Sequence, residues 1–559
     1  MKTFFHILLH LLLCYSTMEE PISASIYYIK TSGRFVVKEN IIDTKAVATA
    51  SFYKEYEQDG WDKVHVASYQ GDDKKYPDWV KAYGMGYLEG VLTYERIYNF
   101  YLTMVKYKFH SSESYSMPER TRQFLIENLS YMKYHSAELR KSDPYWDQVF
   151  NIYKQLEGMV DGYNSKVEKN KQISSIDFQI LAAMSDLDEL NYWNNPSAIP
   201  KFSEMTAKEI EDFVSLSTHC SSLIKLDPEY KDIWFGHNTW SGYNEMARMF
   251  KEYKFKTNIN AEKSKTVAFS SYAGAISSTD DFFLMDNDLF VMETTNSIFN
   301  ETLYSVLTPK SLLAWIRVVL ANRLSSNGEE WVENFARENS GTCNNQWQVL
   351  DLNKIDLENK KINPGALWIL EQLPGDYESK DMTDTLKSQT YWPSYNCAYF
   401  DRVRKIANYE EKIANNTELE HTLDYKKAAR GQIFAREQST VNSVDTFKKI
   451  IRYNDYQNDE LSLKNPVYTI ASRYDLRENK TENICFGMVD AKFGALSEIK
   501  GKPEKLIHII NGPTNQEQPT FSWKNTTCIN TNPKRWDYTG QVETYNFKWV
   551  DYSTKQFGN

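Results

Sequence analysis

The chain has 559 residues, 41% hydrophobic and 25% charged, with 38 Tyr, 28 Phe and 14 Trp. That is material for a large buried core in one layered domain or two closely joined ones, and it excludes a disordered chain or a string of small modules. The formal net charge of -10 argues against a nucleic-acid binder, which would concentrate Lys and Arg, and suits an acidic compartment.

Residues 4–13 form the one long apolar run, following Lys2 and ending in Cys14-Tyr15-Ser16-Thr17. This pattern predicts a secretory leader over 1–17, too short to span a bilayer, and no later stretch resembles a transmembrane helix. Residues 78–100 carry Val80, Tyr83, Tyr87, Leu88 and Val91 at helical spacing, with Gly86 and Gly90 four apart to admit a close neighbour. The first third reads as mainly helical. Thr206 and Glu209 form a capping box that opens a helix through Ile210, Phe213 and Val214, fraying near Ser217.

Beyond that helix the pattern changes. Residues 221–226 and 233–237 read as two strands of a hairpin around Asp227-Pro228, and the hairpin opens at Cys220. Further strands are predicted at 266–272, 282–285 and 289–293, the last two joined by the turn-like Asp286-Asn287-Asp288. A helix is expected over 311–324, ending near Gly328, and helices again over 401–453. The last hundred residues mix short strands with loops. Sheets with helices on both sides are consistent with this order.

Five Asn-x-Ser/Thr triplets, at Asn128, Asn300, Asn415, Asn479 and Asn525, are candidate glycosylation sites and agree with a lumenal route. Six Cys are present and Cys14 leaves with the leader. Cys220, Cys343, Cys397, Cys485 and Cys528 remain, an odd number. If Cys220 is the leftover thiol, the other four can form up to two disulfides in three pairings.

No Gly-x-Ser-x-Gly elbow, Walker A loop, His-Glu-x-x-His helix or Cys-x-x-Cys pair occurs, so standard serine hydrolases, P-loop NTPases and zincins lose ground. None of the nine His stands at metal-ligand spacing. No cofactor and no metal are expected. Cys220 is conspicuous where a capped helix gives way to a hairpin, although an ordinary buried cysteine is the commoner outcome for such a residue.

The run His219-Cys220-Ser221-Ser222-Leu223-Ile224-Lys225, followed by Gly236-His237-Asn238-Thr239-Trp240 and Tyr243, resembles the signature of the phospholipase B-like family. Upstream the similarity includes Gly86-Tyr87-Leu88-Glu89-Gly90 and Asp143-Pro144-Tyr145-Trp146. Downstream it takes in Phe269-Ser270-Ser271-Tyr272, Glu293-Thr294-Thr295, Asn344-Asn345-Gln346-Trp347 and Glu371-Gln372-Leu373-Pro374-Gly375. Tyr391-Trp392-Pro393-Ser394-Tyr395-Asn396 and Arg452-Tyr453-Asn454-Asp455 complete it.

The resemblance implies an α+β fold of the N-terminal nucleophile hydrolase type, four layers in αββα order with an added helical N-terminal region. It also implies an inactive precursor cut between His219 and Cys220. The pieces would be a light chain, 18–219, and a heavy chain, 220–559, that stay associated through a shared core. Cys220 would be the nucleophile and its freed α-amino group the base, since a terminal amine of pKa roughly 7.7 to 8.0 can take the proton of its own thiol near neutrality.

The family's pocket positions fall on His237, Trp240, Thr295, Asn396 and Arg430. Asn396 is the expected oxyanion donor, Arg430 orients the Cys220 terminus or an anionic substrate group, and His237 and Trp240 shape the pocket and the self-cleavage step. Structural alternatives are a hydrogen-bonded core His237, a core aromatic Trp240 and an ion-paired Arg430. The sequence departs from the family at Cys343, often Tyr, and at Cys397, often aliphatic. The implied activity is hydrolysis of fatty acyl esters of glycerophospholipids in a secreted or lysosomal setting. The rivals are an amidase acting on linear or lipid amides and a lumenal lipid-binding glycoprotein with little catalysis.

Overall fold

A computed structural model describes residues 20–72, 74–110, 115–217, 220–258, 261–278 and 282–554. The leader at 1–17 and the cleavage residue His219 lie outside the described residues. The chain opens with four strands, β1 (Ile22–Ile29), β2 (Arg34–Glu39), β3 (Ala48–Tyr53) and β4 (Trp61–Ser68). The reading of the first third as mainly helical therefore holds only from Asp78 onward. These strands are rich in β-branched and aromatic residues, and β3 alternates buried and half-buried positions, the period-two pattern of a strand with one face inward.

Helices then run from Asp78 to Ser217. The predicted 78–100 helix is two, Asp78–Leu92 and Tyr94–Phe109, broken at Thr93, whose hydroxyl donates to the Glu89 carbonyl. Helix Pro144–Lys166 begins with Pro144 at its first position and Asp143 as cap, the Asp143 carboxylate accepting the Tyr145 N–H at 2.9 Å. It packs along Asp78–Leu92 through glycines on both helices. A Cβ added at Gly86, Gly90, Gly158 or Gly162 would come within 3.0 Å of the partner's backbone. The expected capping box is present on Ala207–Ser217: Glu209 N–H donates to Thr206 Oγ1 and Thr206 N–H to the Glu209 carboxylate.

The middle of the chain supplies β5 (Ser221–Leu226), β6 (Ile233–Gly242), β7 (Arg248–Lys254), β8 (Thr266–Ser271), β9 (Phe282–Met285), β10 (Leu289–Thr295) and β11 (Asn345–Asp351). A small hairpin of β12 (Ile355–Asp356) and β13 (Lys361–Ile362) precedes β14 (Leu367–Leu373), β15 (Asp376–Asp381) and β16 (Tyr391–Ser394). After helices between Asp401 and Ile450 come β17 (Phe486–Ala495), β18 (Leu506–Asn511) and β19 (Val550–Ser553). The hairpin at Cys220 is β5 and β6, with β6 five residues longer than the alternation indicated. The helix expected over 311–324 begins at Ala314, and Gly328 opens a further helix, Gly328–Ala336, capped by Asn327, rather than closing the first.

An eleven-stranded sheet has the order β15-β14-β11-β10-β9-β8-β7-β4-β3-β1-β2, and a six-stranded sheet the order β16-β5-β6-β17-β18-β19. The β4–β7 pairing is parallel and joins the N-terminal strands to the rest. The two sheets face each other across aromatic contacts: Phe235 of β6 meets Phe290 of β10 at 4.4 Å, and Phe250 of β7 meets Tyr552 of β19 at 4.4 Å. On the far side of the large sheet, helix Gly328–Ala336 sets Phe335 against Trp347 of β11 at 4.5 Å. On the far side of the small sheet, Phe447 of helix Val444–Ile450 meets Phe493 of β17 at 4.9 Å. Helices thus cover the outer face of each sheet.

Cys485 and Cys528 form a disulfide, and Cys220, Cys343 and Cys397 are buried thiols. One bridge stands where up to two were expected. Asn128 is corrected as a glycan acceptor: it is fully buried, and its amide nitrogen donates to the Pro309 and Ser311 carbonyls. Asn300 is half-buried with its amide nitrogen on the Ile406 carbonyl, whereas Asn415, Asn479 and Asn525 are exposed.

Candidate active site

The site lies where the two sheets meet, at the end of β5 that carries Cys220. Cys220 is buried, directly before β5, with a left-handed φ of 88°. That conformation is unfavourable for a residue with a Cβ, at a cost of about 1–3 kcal/mol, and it persists because the neighbours hold it. Arg430, on helix Ala429–Glu437, donates from Nη1 to the Cys220 carbonyl at 3.0 Å and to Ser221 Oγ at 3.2 Å. Asn238 of β6 accepts the Ser221 N–H at 3.1 Å while its own amide nitrogen is anchored on the Ile451 and Ile470 carbonyls.

The strand alternation of β6 divides its side chains between two faces. Trp240 and Asn238 point toward the helices. The Trp240 indole N–H donates to the Ile470 carbonyl at 3.2 Å, and the Arg430 guanidinium lies 4.1 Å from the Trp240 ring centre, a cation–π contact. Burial pushes the Arg430 guanidinium down to about 10, against the pull of nearby Tyr474 and Cys397, so it remains a cation at neutral and acid pH.

His237 points the other way, toward the large sheet. One donor atom each from Cys220, His237 and Glu293 lie within 4.8 Å of one another, and all three residues are buried. Glu293 belongs to β10, so the trio is assembled from both sheets. A thiol, an imidazole and a carboxylate at this range form a proton-transfer set that needs no ion to explain it. The same inter-sheet face carries further polar pairs. Gln348 of β11 donates to Ser222 Oγ at 2.7 Å. Lys492 of β17 pairs with Asp490 at 2.8 Å, and Asp490 with Arg248 of β7 at 2.7 Å. Polar groups removed from water must be partnered across the gap.

Thr295 ends β10, and its carbonyl accepts from Asn396 Nδ2 at 2.8 Å. Asn396 follows β16 with φ 66°, a left-handed conformation that Asn tolerates better than most residues. Adjacent Cys397 is a buried thiol whose Sγ donates to the Leu423 carbonyl, and burial pushes it up to about 12. It is a structural thiol.

A cavity of about 440 Å³ opens over Trp240 and Thr295. Its apolar wall includes Tyr107, Phe109, Met184, Leu187, Tyr192 and Phe213, and Cys343 and Glu189 also line it. Burial, reinforced by the charges of Asp188 and Asp186, pushes the Glu189 carboxyl up to about 8.

The structure thus brings Cys220, His237, Trp240 and Arg430 into one cluster and ties Thr295 to Asn396 beside it. Sequence reading left Glu293, Asn238 and the cavity wall from the helical region without roles. Glu293 and Asn238 stand in motifs that carry the family resemblance, and nothing local assigns either a role.

The sequence model of one family, described as Phospholipase B, matches residues 48–552 of this chain. The chain belongs to the phospholipase B family. Relatives of this family are similar along almost the whole length. Phospholipase B-like protein B of Dictyostelium discoideum is 35% identical over 95% of this chain and 89% of its own. Phospholipase B-like 1 of Bos taurus is 31% identical over 97% and 96%, respectively. A Phospholipase B of Crotalus adamanteus is 30% identical over 94% and 92%. Among the described residues no helix is long and apolar enough to cross a membrane.

Proposed function

We propose that the protein is a self-processed hydrolase that removes fatty acyl groups from glycerophospholipids through a thioester on Cys220. The observation that carries this reading is the strained Cys220 at the head of β5, its carbonyl held by Arg430 and its thiol beside His237, with a partly apolar cavity over Trp240 and Thr295 of the same site. In this reading the two sheets and their covering helices are the αββα layers of an N-terminal nucleophile hydrolase, and the precursor is cut between His219 and Cys220. A light chain ending there would contribute β1 to β4 to the same eleven-stranded sheet as β7 to β11, which supports lasting association of the pieces. The disulfide and the exposed Asn415, Asn479 and Asn525 support a secreted or lysosomal route.

After the cut, the Cys220 amine takes the Sγ proton and the thiolate attacks the ester carbonyl. The oxyanion is met by Asn396, whose amide nitrogen has two N–H groups: one fixes the side chain on Thr295 and the other is assigned to the developing charge. Collapse expels the lysophospholipid alkoxide, which takes the proton back from the ammonium. Water, deprotonated by the same amine, then releases the fatty acid and restores the thiol. Arg430 keeps the terminus aimed, Trp240 and Thr295 form the floor of the substrate cavity, and no cofactor is called for.

The test is to incubate the processed protein with a diacyl glycerophospholipid and, separately, with a fatty acyl amide, quench in acid, and weigh the Cys220 peptide. The expected result is a fatty acyl adduct and free fatty acid from the ester. An adduct from the amide alone would make the protein an amidase. Lipid retained without adduct or release, and still retained by Cys220→Ala, would make it a carrier.

A further inference from the structure

We propose that Glu293 is a positioning residue for the Cys220 thiol before the chain is cut, its carboxylate holding the His237 imidazole ready to take the sulfur's proton. This rests on the self-processing read above. In the uncut chain the Cys220 nitrogen is an amide and cannot accept a proton, so the base that later serves turnover does not yet exist. The thiol needs another one, and the imidazole gathered with it is that of His237.

Glu293 is placed for this by its own strand. Its successor Thr294 contacts Ser394 Oγ at 2.5 Å, and Thr295 holds Asn396. The carboxylate is therefore carried by a strand whose end is tied to Ser394 and Asn396. Among the described residues, two cations that approach His237 have partners of their own. Lys492, directly opposite His237 in β17, is paired with Asp490, which is paired in turn with Arg248. Arg430 approaches from the helical side and bonds the Cys220 carbonyl. Glu293 is the negative charge gathered with the imidazole, and a carboxylate there favours the imidazolium that forms as the thiol ionises.

The step balances. Sγ–H gives its proton to His237, and the thiolate attacks the carbonyl carbon of the preceding peptide bond. The imidazolium then protonates the departing Cys220 nitrogen as the C–N bond breaks and a C–S thioester bond forms. Water hydrolyses the thioester to a new carboxylate, and the thiol and the free amine remain on Cys220.

The test follows heavy-chain appearance by intact mass, as a function of pH, in full-length secreted wild type, Glu293→Gln and Glu293→Asp. Wild type is expected to be cut at Cys220. Glu293→Gln should slow the cut by about tenfold or more and move the acid limb of its profile to lower pH, because an imidazole that loses an adjacent negative charge is harder to protonate. Glu293→Asp should recover to within about threefold. Cutting of Glu293→Gln at the wild-type rate and profile overturns the inference, as does a shifted profile that Glu293→Asp fails to rescue. A wild-type chain never cut at Cys220 sinks the self-processing reading itself and this inference with it.

Discussion

Two regions of the molecule bring backbones and side chains unusually close, by opposite means. Along the seam between helices Asp78–Leu92 and Pro144–Lys166, closeness comes from deleting side chains: Gly86, Gly90, Gly158 and Gly162 each face partner backbone. Between the sheets at Cys220 it comes from pairing them: Ser222 with Gln348, Lys492 with Asp490, Asp490 with Arg248, and a thiol, imidazole and carboxylate gathered together. The seam stores its energy in van der Waals fit and has no chemistry. The inter-sheet row costs desolvation, recovers it only through complementary partners, and leaves reactive groups poised. Stability and reactivity should therefore separate under mutation.

Asn396→Ala should show the largest effect on chemistry, a fall in kcat of about 10²–10³-fold, worth about 2.7–4 kcal/mol of transition-state stabilisation. Steady-state lipolysis would measure it, with the thermal midpoint moving only a few degrees. Gly86→Ala should do the reverse. A methyl driven against the Gln155 carbonyl should cost about 1–3 kcal/mol of stability, read by thermal or urea unfolding, while turnover per folded molecule stays at the wild-type level. A kinetic defect in Gly86→Ala matching that of Asn396→Ala would break the distinction.

The contrast also explains what could be read from the sequence. Gly86 and Gly90 advertise themselves because helical spacing is local, and the hairpin at Cys220 is legible because alternation and an Asp-Pro turn are local too. The resemblance singled out Cys220, His237, Trp240, Thr295, Asn396 and Arg430, residues from distant parts of the chain that the fold gathers in one region. Glu293 stood in a quoted motif, yet its role appears only when β10 and β6, on different sheets, are stacked. The four N-terminal strands were missed because their alternation is short and the helical pattern after Asp78 dominates the region. The break at Thr93 was hidden by apolar spacing that continues through it. The parallel β4–β7 pairing joins segments far apart in the chain and left no local trace. The Cys485–Cys528 bridge is one outcome among pairings that cysteine count cannot distinguish.

At the cavity rim a weaker response is expected, through ionisation. The Glu189 carboxyl, with an ordinary value of 4.5, is held up at about 8. Between those values the folded chain keeps a proton that the unfolded chain has lost, so folding takes up a proton and stability falls as pH rises through the window. Below the lower value both states are protonated and the penalty vanishes. Glu189→Gln should therefore match wild type near the acid end and gain about 1–2 kcal/mol at the alkaline end, seen as a thermal midpoint a few degrees higher by scanning calorimetry. An equal gain at both ends would show that the effect is not Glu189 ionisation.

In the proposed mechanism Cys220 becomes a chain terminus and the nucleophile. N-terminal sequencing and intact mass of the secreted protein held at acid pH, for wild type and Cys220→Ala, test it directly. The expected result is a heavy chain beginning at Cys220 in wild type and an uncut Cys220→Ala chain. Both proteins intact, or both cut alike at another bond, would contradict it.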